Sequence, residues 1–407
     1  MTSSPPTPPI SRTGAVSVIV PTYKEVENLR PLIERLAEVM SALGRRWEVI
    51  VVDDDSRDGS DRVIAALAAE GVPVRLITRI GERGLSSAVI AGFRQADGDV
   101  LVCMDADLSH PPEAIPKMLE HLAAGEADFV IGSRYVPGAS TDESWGMFRW
   151  LNSKVATILA RPFTKAADPM AGFFAFPWAA FQRAVDLNPI GYKIALELIV
   201  KCGCRNIREV PIHFANRRFG TSKLNLKEQL NYIKHLKRLA DFKYGTLSRL
   251  LQFCLVGGTG SVVDLGSYAL LIALAVPHFR GMIGTLFPQD NFFAVHRAGL
   301  ALAVGRGLAI WIAMTWNFFF NRRLTFSYSR GGNALEQYWK FVVACSAGAV
   351  VNWFISVLLP TKVAFFDAHK LAAAVVGILV GLIFNFVLSQ RWVFRRLHHQ
   401  EGSGRGA

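Results

Sequence analysis

With 407 residues the chain is too long for one ordinary core, the usual scale being about 150 residues per domain. Its formal charge of +12 sits largely between Arg217 and Arg249 and in short loops beside apolar segments, a placement that favours anionic lipid headgroups over nucleic acid. Five scattered cysteines, Cys103, Cys202, Cys204, Cys254 and Cys345, make neither a disulfide framework nor a zinc site; Cys202 and Cys204 read as small apolar fillers in a reduced compartment.

In chain order, "MTSSPPTPPISR" lacks the apolar core of a secretory signal and reads as a disordered tail over residues 1–13. Residues 14–225 read as an α/β domain. Strand-like runs begin at Ala15 ("AVSVIVP"), Trp47 ("WEVIVVDDD"), Pro73 ("PVRLITR") and Asp99 ("DVLVCMDAD"), with helix-like stretches such as Asn28 to Met40 and Ser60 to Ala69 between them. This is the βαβ rhythm of a parallel sheet, which binds ligands at the carboxyl ends of its strands. Polar residues collect there, at "PTYKE", "DDDSRDGS" and "DADLSH".

Residues 226–248 carry leucines and isoleucine at helical spacing among lysines, as an amphipathic helix at a membrane surface does. From 249 to 396 four membrane-length segments follow: Leu250 to Val276, Ala298 to Phe320, Phe341 to Leu359 and Leu371 to Leu388. Arg322, Arg323, Arg330 and Lys340 follow the second span, and Arg391, Arg395 and Arg396 the fourth. Both loops therefore belong on the cytosolic side with the α/β domain. "NFFFNRRLTF" at Asn317 matches "NFVLSQRWVF" at Asn385, and "FCLVGGTGSVVD" at Phe253 matches "FVVACSAGAVVN" at Phe341, so the membrane half reads as two hairpins in a parallel repeat. Asp264 and Arg306 lie well inside their spans, where charge is costly unless paired, and are expected to meet. "GGTGS" at Gly257 reads as close helix packing and not as a phosphate loop. Residues 397–407 read as a second disordered tail.

Asp105 and Asp107 end the fourth strand-like run, where alternation along an extended end lets both carboxylates project together. A hard divalent cation, Mg²⁺ or Mn²⁺, held by one or two carboxylates and completed by water and diphosphate oxygens, removes their repulsion. Alone, such a pair is a weak signal. Nearby, Asp53 or Asp54 offers acceptors for a nucleobase, Tyr23 an aromatic face and Glu25 a carboxylate for base or ribose.

In order along the chain, "PTYKEVENL", "VVDDDSRDGS", "GLSSAVIAGF", "MDADLSHPPE", "GSRYVPG", "DPMAGFFA" and "RRFGTSKL" resemble the motif series of GT-A family 2 glycosyltransferases, specifically the dolichyl (polyprenyl) phosphate mannose synthases. The four-span half is similar to the GtrA-like domain fused to such enzymes in prokaryotes. The resemblance implies a GT-A, Rossmann-like α/β catalytic domain with a mainly parallel sheet, joined to an all-α four-helix transmembrane domain in a prokaryotic plasma membrane. It implies that Asp105 and Asp107 bind the metal, with Ala106 beside the nucleotide, and that Pro21, Tyr23, Glu25, Val52 and Asp54 line a guanosine pocket. Arg134, Arg149, Arg217 and Lys223 match positions that hold donor or acceptor phosphates, and Asp107, Arg134 and Arg149 are the expected catalytic residues. Ser109 stands where relatives often carry glutamine as a further metal neighbour, and Lys24 replaces the asparagine of "PTYNE".

The implied reaction is inverting transfer of mannose from GDP-mannose to polyprenyl phosphate at the cytosolic face. A lipid monophosphate, with a second pKa near ~6, is largely dianionic at neutral pH and needs no strong general base. Cationic forks suit the phosphates. The alternatives are a UDP-glucose polyprenyl phosphate glucosyltransferase and a lipid-linked sugar translocator. No GxGxxG follows the first strand, which argues against a NAD-dependent oxidoreductase.

Overall fold

The computed structural model describes residues 14–142, 147–191, 193–215, 226–275, 278 and 297–395; the expected tails at 1–13 and 397–407 lie outside them. The chain divides between Lys243 and Tyr244 into two compact units.

The first unit is an α/β layer structure. Strands β1 (Val16–Thr22), β2 (Trp47–Asp53), β3 (Val74–Thr78), β4 (Val100–Cys103), β5 (Phe129–Ser133), β7 (Phe174–Pro177) and β8 (Ile207–Pro211) form a seven-stranded sheet in the order β3-β2-β1-β4-β7-β5-β8. All neighbours are parallel except β7, which runs antiparallel between β4 and β5. Two short strands, β6 (Ser140–Thr141) and β9 (His213–Phe214), pair separately.

Because side chains alternate across a strand, the continuous apolar runs fill two cores. Val16, Val18 and Val20 of β1, with Val49, Val51, Val100 and Val102, pack under α1 (Val26–Ser41), α2 (Ser60–Ala69) and α4 (Ile115–Ala123). Ile19, Ile50, Val52, Leu101 and Cys103 pack on the other face, with Phe174 and Phe176, against α3 (Leu85–Arg94), α6 (Trp178–Phe181) and α7 (Ile194–Lys201). Burial on both faces explains why these strands read as unbroken hydrophobic runs. Chain order reverses direction across the sheet between β1 and β4, and the crevice at a parallel sheet's carboxyl edge opens at such a switch point.

Helices α5 (Met147–Ala160) and α8 (Leu226–Tyr244) complete this unit. Ala156 and Ala160 pack with Tyr232, Leu236 and Leu239, and the Tyr232 hydroxyl donates to the Ala156 carbonyl at 2.7 Å. The apolar residues of α8 are thus shared between two directions: this cluster takes one set, while Leu230 and Ile233 stay exposed, as do Val155 and Ile158 on α5. Cys202 and Cys204 are buried, and burial pushes both thiols up, that of Cys202 to about 12.

The second unit holds α9 (Thr246–Leu270), α10 (Arg297–Phe320), α11 (Ala334–Lys362), the short α12 (Ala364–Ala368) and α13 (Lys370–Leu388). Among the described residues four helices are long and apolar enough to cross a membrane. The sequence repeat is a structural one. Phe326 and Phe394, equivalent positions, are fully buried and stack at 4.8 Å. Around them Phe253–Phe326 answers Phe341–Phe394, Phe326–Phe386 answers Phe318–Phe394, and Phe253–Phe386 answers Phe318–Phe341. Both repeats end in a π-helical turn, Asn321–Thr325 and Ser389–Val393, closed by Phe326 N–H and Phe394 N–H donating to Asn321 and Ser389 carbonyls, each at 2.8 Å. Gly260 faces Asn317 and Gly348 faces Asn385 so closely that a Cβ at either glycine would overlap the amide. Small residues here permit close helix approach. Asp264 and Arg306 meet as expected, in a two-pronged pair at 2.9 and 2.8 Å.

Candidate active site

β4 stops at Cys103. Met104 N–H still donates to Ile19 on β1, and the chain then leaves the ladder. Asp105 therefore follows the strand in irregular chain and Asp107 sits in a bend over residues 106–108, not on the extended strand end that alternation suggested. Local bonds replace the ladder: Asp105 N–H donates to His110 Nδ1 at 3.2 Å, and Asp107 Oδ1 accepts the Ser109 N–H at 3.1 Å and the Ser109 hydroxyl. Leu108 takes a positive φ of 62° to close the turn.

His110 is buried and stacks on Phe173 at 5.3 Å. Accepting at Nδ1 places its proton on Nε2. Desolvation lowers its pKa, opposed by Asp105 and Asp107. Asp107 is buried, whereas Asp105 is partly open. Behind Asp105, a Cβ on Gly172 would lie 2.8 Å from Oδ2, so only glycine leaves that carboxylate its place. Ser109, expected near the metal, spends its hydroxyl on orienting Asp107.

Arg134 follows β5 directly. Its Nε and Nη2 donate to the two oxygens of Asp168 at 2.7 and 2.9 Å, and its backbone N–H donates to Oδ2 at 3.2 Å. Burial works most strongly against the Arg134 charge, but the hydrogen bond and the charge of Asp168, with Tyr135 and Asp105 adding to them, together outweigh it and raise the pKa above the ordinary value.

At the end of β2, Asp53 accepts the Ser56 N–H at 2.9 Å and the Ser56 hydroxyl. Ser56 Oγ in turn accepts the Lys24 N–H at 2.8 Å, tying the "PTYKE" turn to the "DDDS" turn. Lys24 has φ 59°, a conformation that asparagine, the residue the motif resemblance leads one to expect there, tolerates better. Asp54 is buried against Arg79, with Nε to Oδ1 at 2.7 Å, while Oδ2 accepts Gly84 N–H at 2.8 Å. A carboxylate oxygen can accept a second bond. Tyr23 lies under Arg83 at 4.8 Å. Glu25 immediately precedes α1. Pro21 and Val52 pair in register, and Val52 and Ala106 are buried in the cores, so contacts of these two with a ligand run through the backbone.

The structure thus brings Asp105, Asp107, Ser109 and Arg134 to one region, and Tyr23 and Asp54 to the neighbouring strand ends. Arg149 lies on α5, and Arg217 and Lys223 fall outside the described residues. Sequence reasoning missed Asp168 and Arg79 as partners. A signal existed for both: a buried arginine needs a carboxylate.

Residues 17–184 match the model of glycosyl transferase family 2, and residues 252–394 match the GtrA/DPMS transmembrane domain. A dolichol-phosphate mannosyltransferase of Pyrococcus furiosus is 37% identical over 92% of this chain and 98% of its own length. Enzymes of the same name from Mycosarcoma maydis and Saccharomyces cerevisiae are 47% and 46% identical over 58% of this chain, covering 83% and 90% of theirs. With that identity over nearly its full length, the chain belongs to the dolichol-phosphate mannosyltransferase family, a family 2 glycosyltransferase unit joined to a GtrA/DPMS membrane domain.

Proposed function

We propose that the protein transfers mannose from GDP-mannose to the phosphate of a membrane-embedded polyprenol such as dolichol, with inversion, at the cytosolic face. The observation that carries this reading is the gathering of Asp105, Asp107 and Arg134 at the carboxyl edge of the sheet, in a chain whose relatives are named for mannosyl transfer to dolichol phosphate.

The residues fit a divalent cation. Asp105 and Asp107 are hard oxygen donors, and Gly172 leaves the cradle in which the Asp105 carboxylate rests. These two aspartates would hold Mg²⁺ or Mn²⁺, with Ser109 supporting Asp107 through its hydroxyl. When bound, such an ion supplies positive charge to a departing diphosphate. Pro21, Tyr23, Glu25, Val52, Asp54 and Ala106 form the guanosine side of the crevice. Arg134, with Arg149, Arg217 and Lys223, binds donor and acceptor phosphates. The acceptor's phosphate oxygen forms a bond to the anomeric carbon as the bond to the diphosphate oxygen breaks. Attack from the opposite face turns an α-linked donor into a β-mannosyl phosphate and releases GDP. A phosphate dianion is already the nucleophile, so no protein base is required.

The exposed aliphatic residues Val155, Ile158, Leu230 and Ile233, and the passage of α8 through Gly245 into the first span, support a catalytic unit held at the membrane surface. Arginines after the second and fourth spans support its cytosolic side. Membranes incubated with labelled GDP-mannose or UDP-glucose and a short polyprenyl phosphate test the assignment. Mannosyl lipid from GDP-mannose is the expected product; glucosyl lipid alone overturns the donor, and no glycolipid from either overturns the transferase reading.

A further inference from the structure

We propose that Asp168 is the positioning residue that aims Arg134, and that Glu209 holds the loop carrying Asp168 in place. The inference rests on the phosphate-binding role proposed above for Arg134.

A free arginine side chain spreads over many rotamers, and fixing it gives up that freedom. Here the carboxylate of Asp168 takes Arg134 at both ends. Oδ2 accepts the backbone N–H and Nε, and Oδ1 accepts Nη2. The side chain is thereby bent back on its own backbone in one geometry. The two partners are unequally buried: the Asp168 side chain is 1% exposed and that of Arg134 16%. Asp168 is thus the internal end of the pair, and Arg134 the end nearer solvent.

The clamp has its own support. Ala167 N–H and Asp168 N–H donate to the two oxygens of Glu209, at 2.7 and 3.0 Å. Glu209 lies on β8, opposite Ile131 of β5, the strand that ends at Ser133 just before Arg134. A carboxylate on one strand therefore fixes the loop, and the loop's aspartate fixes the arginine of the adjacent strand. The same loop ends at Gly172, against the Asp105 carboxylate. Its position sets the placement of Arg134 and Asp105 together.

Charge and geometry make opposite demands on Asp168. As a counter-charge, it weakens the pull of Arg134 on a phosphate, and removing it would tighten anion binding. As a positioning group, it directs the guanidinium, and removing it costs turnover, since misplacement by about 1 Å costs about 10²-fold.

The test is Asp168→Asn in the full-length protein, scored by mannosyl transfer and by calorimetric binding of GDP. The expected result is a kcat about 100-fold lower with GDP affinity unchanged or tighter, and a smaller loss of about 10-fold for Glu209→Gln. In an Arg134→Ala background, Asp168→Asn is expected to add less than twofold, because it acts through Arg134. A kcat within threefold of the unsubstituted protein, or a loss that multiplies in full with Arg134→Ala, overturns the proposal. Should Asp168→Asn fail to fold, Glu209→Gln and its combination with Arg134→Ala carry the same comparison. An unsubstituted protein that makes no mannosyl lipid overturns the reaction assigned above, a result distinct from an active protein indifferent to Asp168.

Discussion

Asp54 and Arg79 bury their opposite charges against one another at the end of β2, with 7% and 6% of their side chains exposed. The same arginine donates to Ser87 at 2.9 Å and to the Gly84 carbonyl at 3.1 Å, while Asp54 accepts from Gly84 N–H. One ion pair thus anchors the turn that leads into α3, next to Arg83 over the Tyr23 ring.

Removing one partner of a buried pair leaves the other charge desolvated, at a cost of about 3–5 kcal/mol. Asp54→Ala is expected to lower unfolding stability toward the lower end of that range, because Glu82 still reaches Arg79, and to weaken GDP binding. Adding Arg79→Leu should recover part of the stability and none of the binding. Thermal unfolding of the detergent-solubilised protein and calorimetry check both; equal melting temperatures for the single and double variants would count against the pair.

Gly172→Ala tests the cradle of Asp105. The added methyl would sit 2.8 Å from Oδ2, so the carboxylate must turn away. Titration with Mn²⁺ in the presence of GDP is expected to show affinity at least 10-fold weaker, at nearly unchanged melting temperature. An unaltered titration would remove Asp105 from the proposed ion site.

The α/β rhythm, the four spans, the repeat and the Asp264–Arg306 pair were all legible in the sequence, because each rests on a periodicity or on a charge too costly to leave alone. The clamp on Arg134 was not. Asp168 lies 34 positions away, in a loop without regular structure, and only the insertion of antiparallel β7 beside β5 brings that loop to the strand end. The extended end that alternation suggested gives way after Asp105 because His110, five residues on, captures its amide, a contact that no periodicity announces. Asp54 was expected as a site residue, but the sequence did not show its partner Arg79, which belongs to the end of another strand.

Lys193 gives a pH signature. Burial pushes its ammonium down from 10.5 to about 8, Glu228 pulling it back up and Arg134 pressing further down. Below pH 8 both folded and unfolded chains hold this proton, and the folded state carries the full cost of the buried charge. Between about 8 and 10.5 only the unfolded chain keeps it, so stability contributed by this group rises with pH across that window. Cysteines and tyrosines also titrate there, so the comparison is with Lys193→Met, which also loses the contact with the Tyr232 ring at 3.8 Å. The difference in stability between Lys193→Met and the parent should move in the parent's favour from pH 7.5 to 10.5. A difference that stays flat over that range would mean the amine titrates as an ordinary surface lysine.

The membrane unit holds its own control for the Asp264–Arg306 pair. In the second hairpin, alignment of the repeats puts Asn352 opposite Asp264 and Ala374 opposite Arg306, so the same helical packing tolerates a neutral pair. A lone charge inside a span costs about 2.5–3.5 kcal/mol on insertion scales. Asp264→Asn, which strands Arg306 beside the Tyr268 ring, and Arg306→Ala, which strands Asp264, are each expected to reduce the yield of monodisperse protein and its resistance to heating. The double substitution removes both charges and copies the second repeat, so it should recover most of the loss and keep transfer within threefold of the parent. If the double variant is as damaged as the sum of the singles, the pair contributes more than mutual neutralisation. If all three variants behave like the parent, the bidentate contact at 2.9 and 2.8 Å carries no stability.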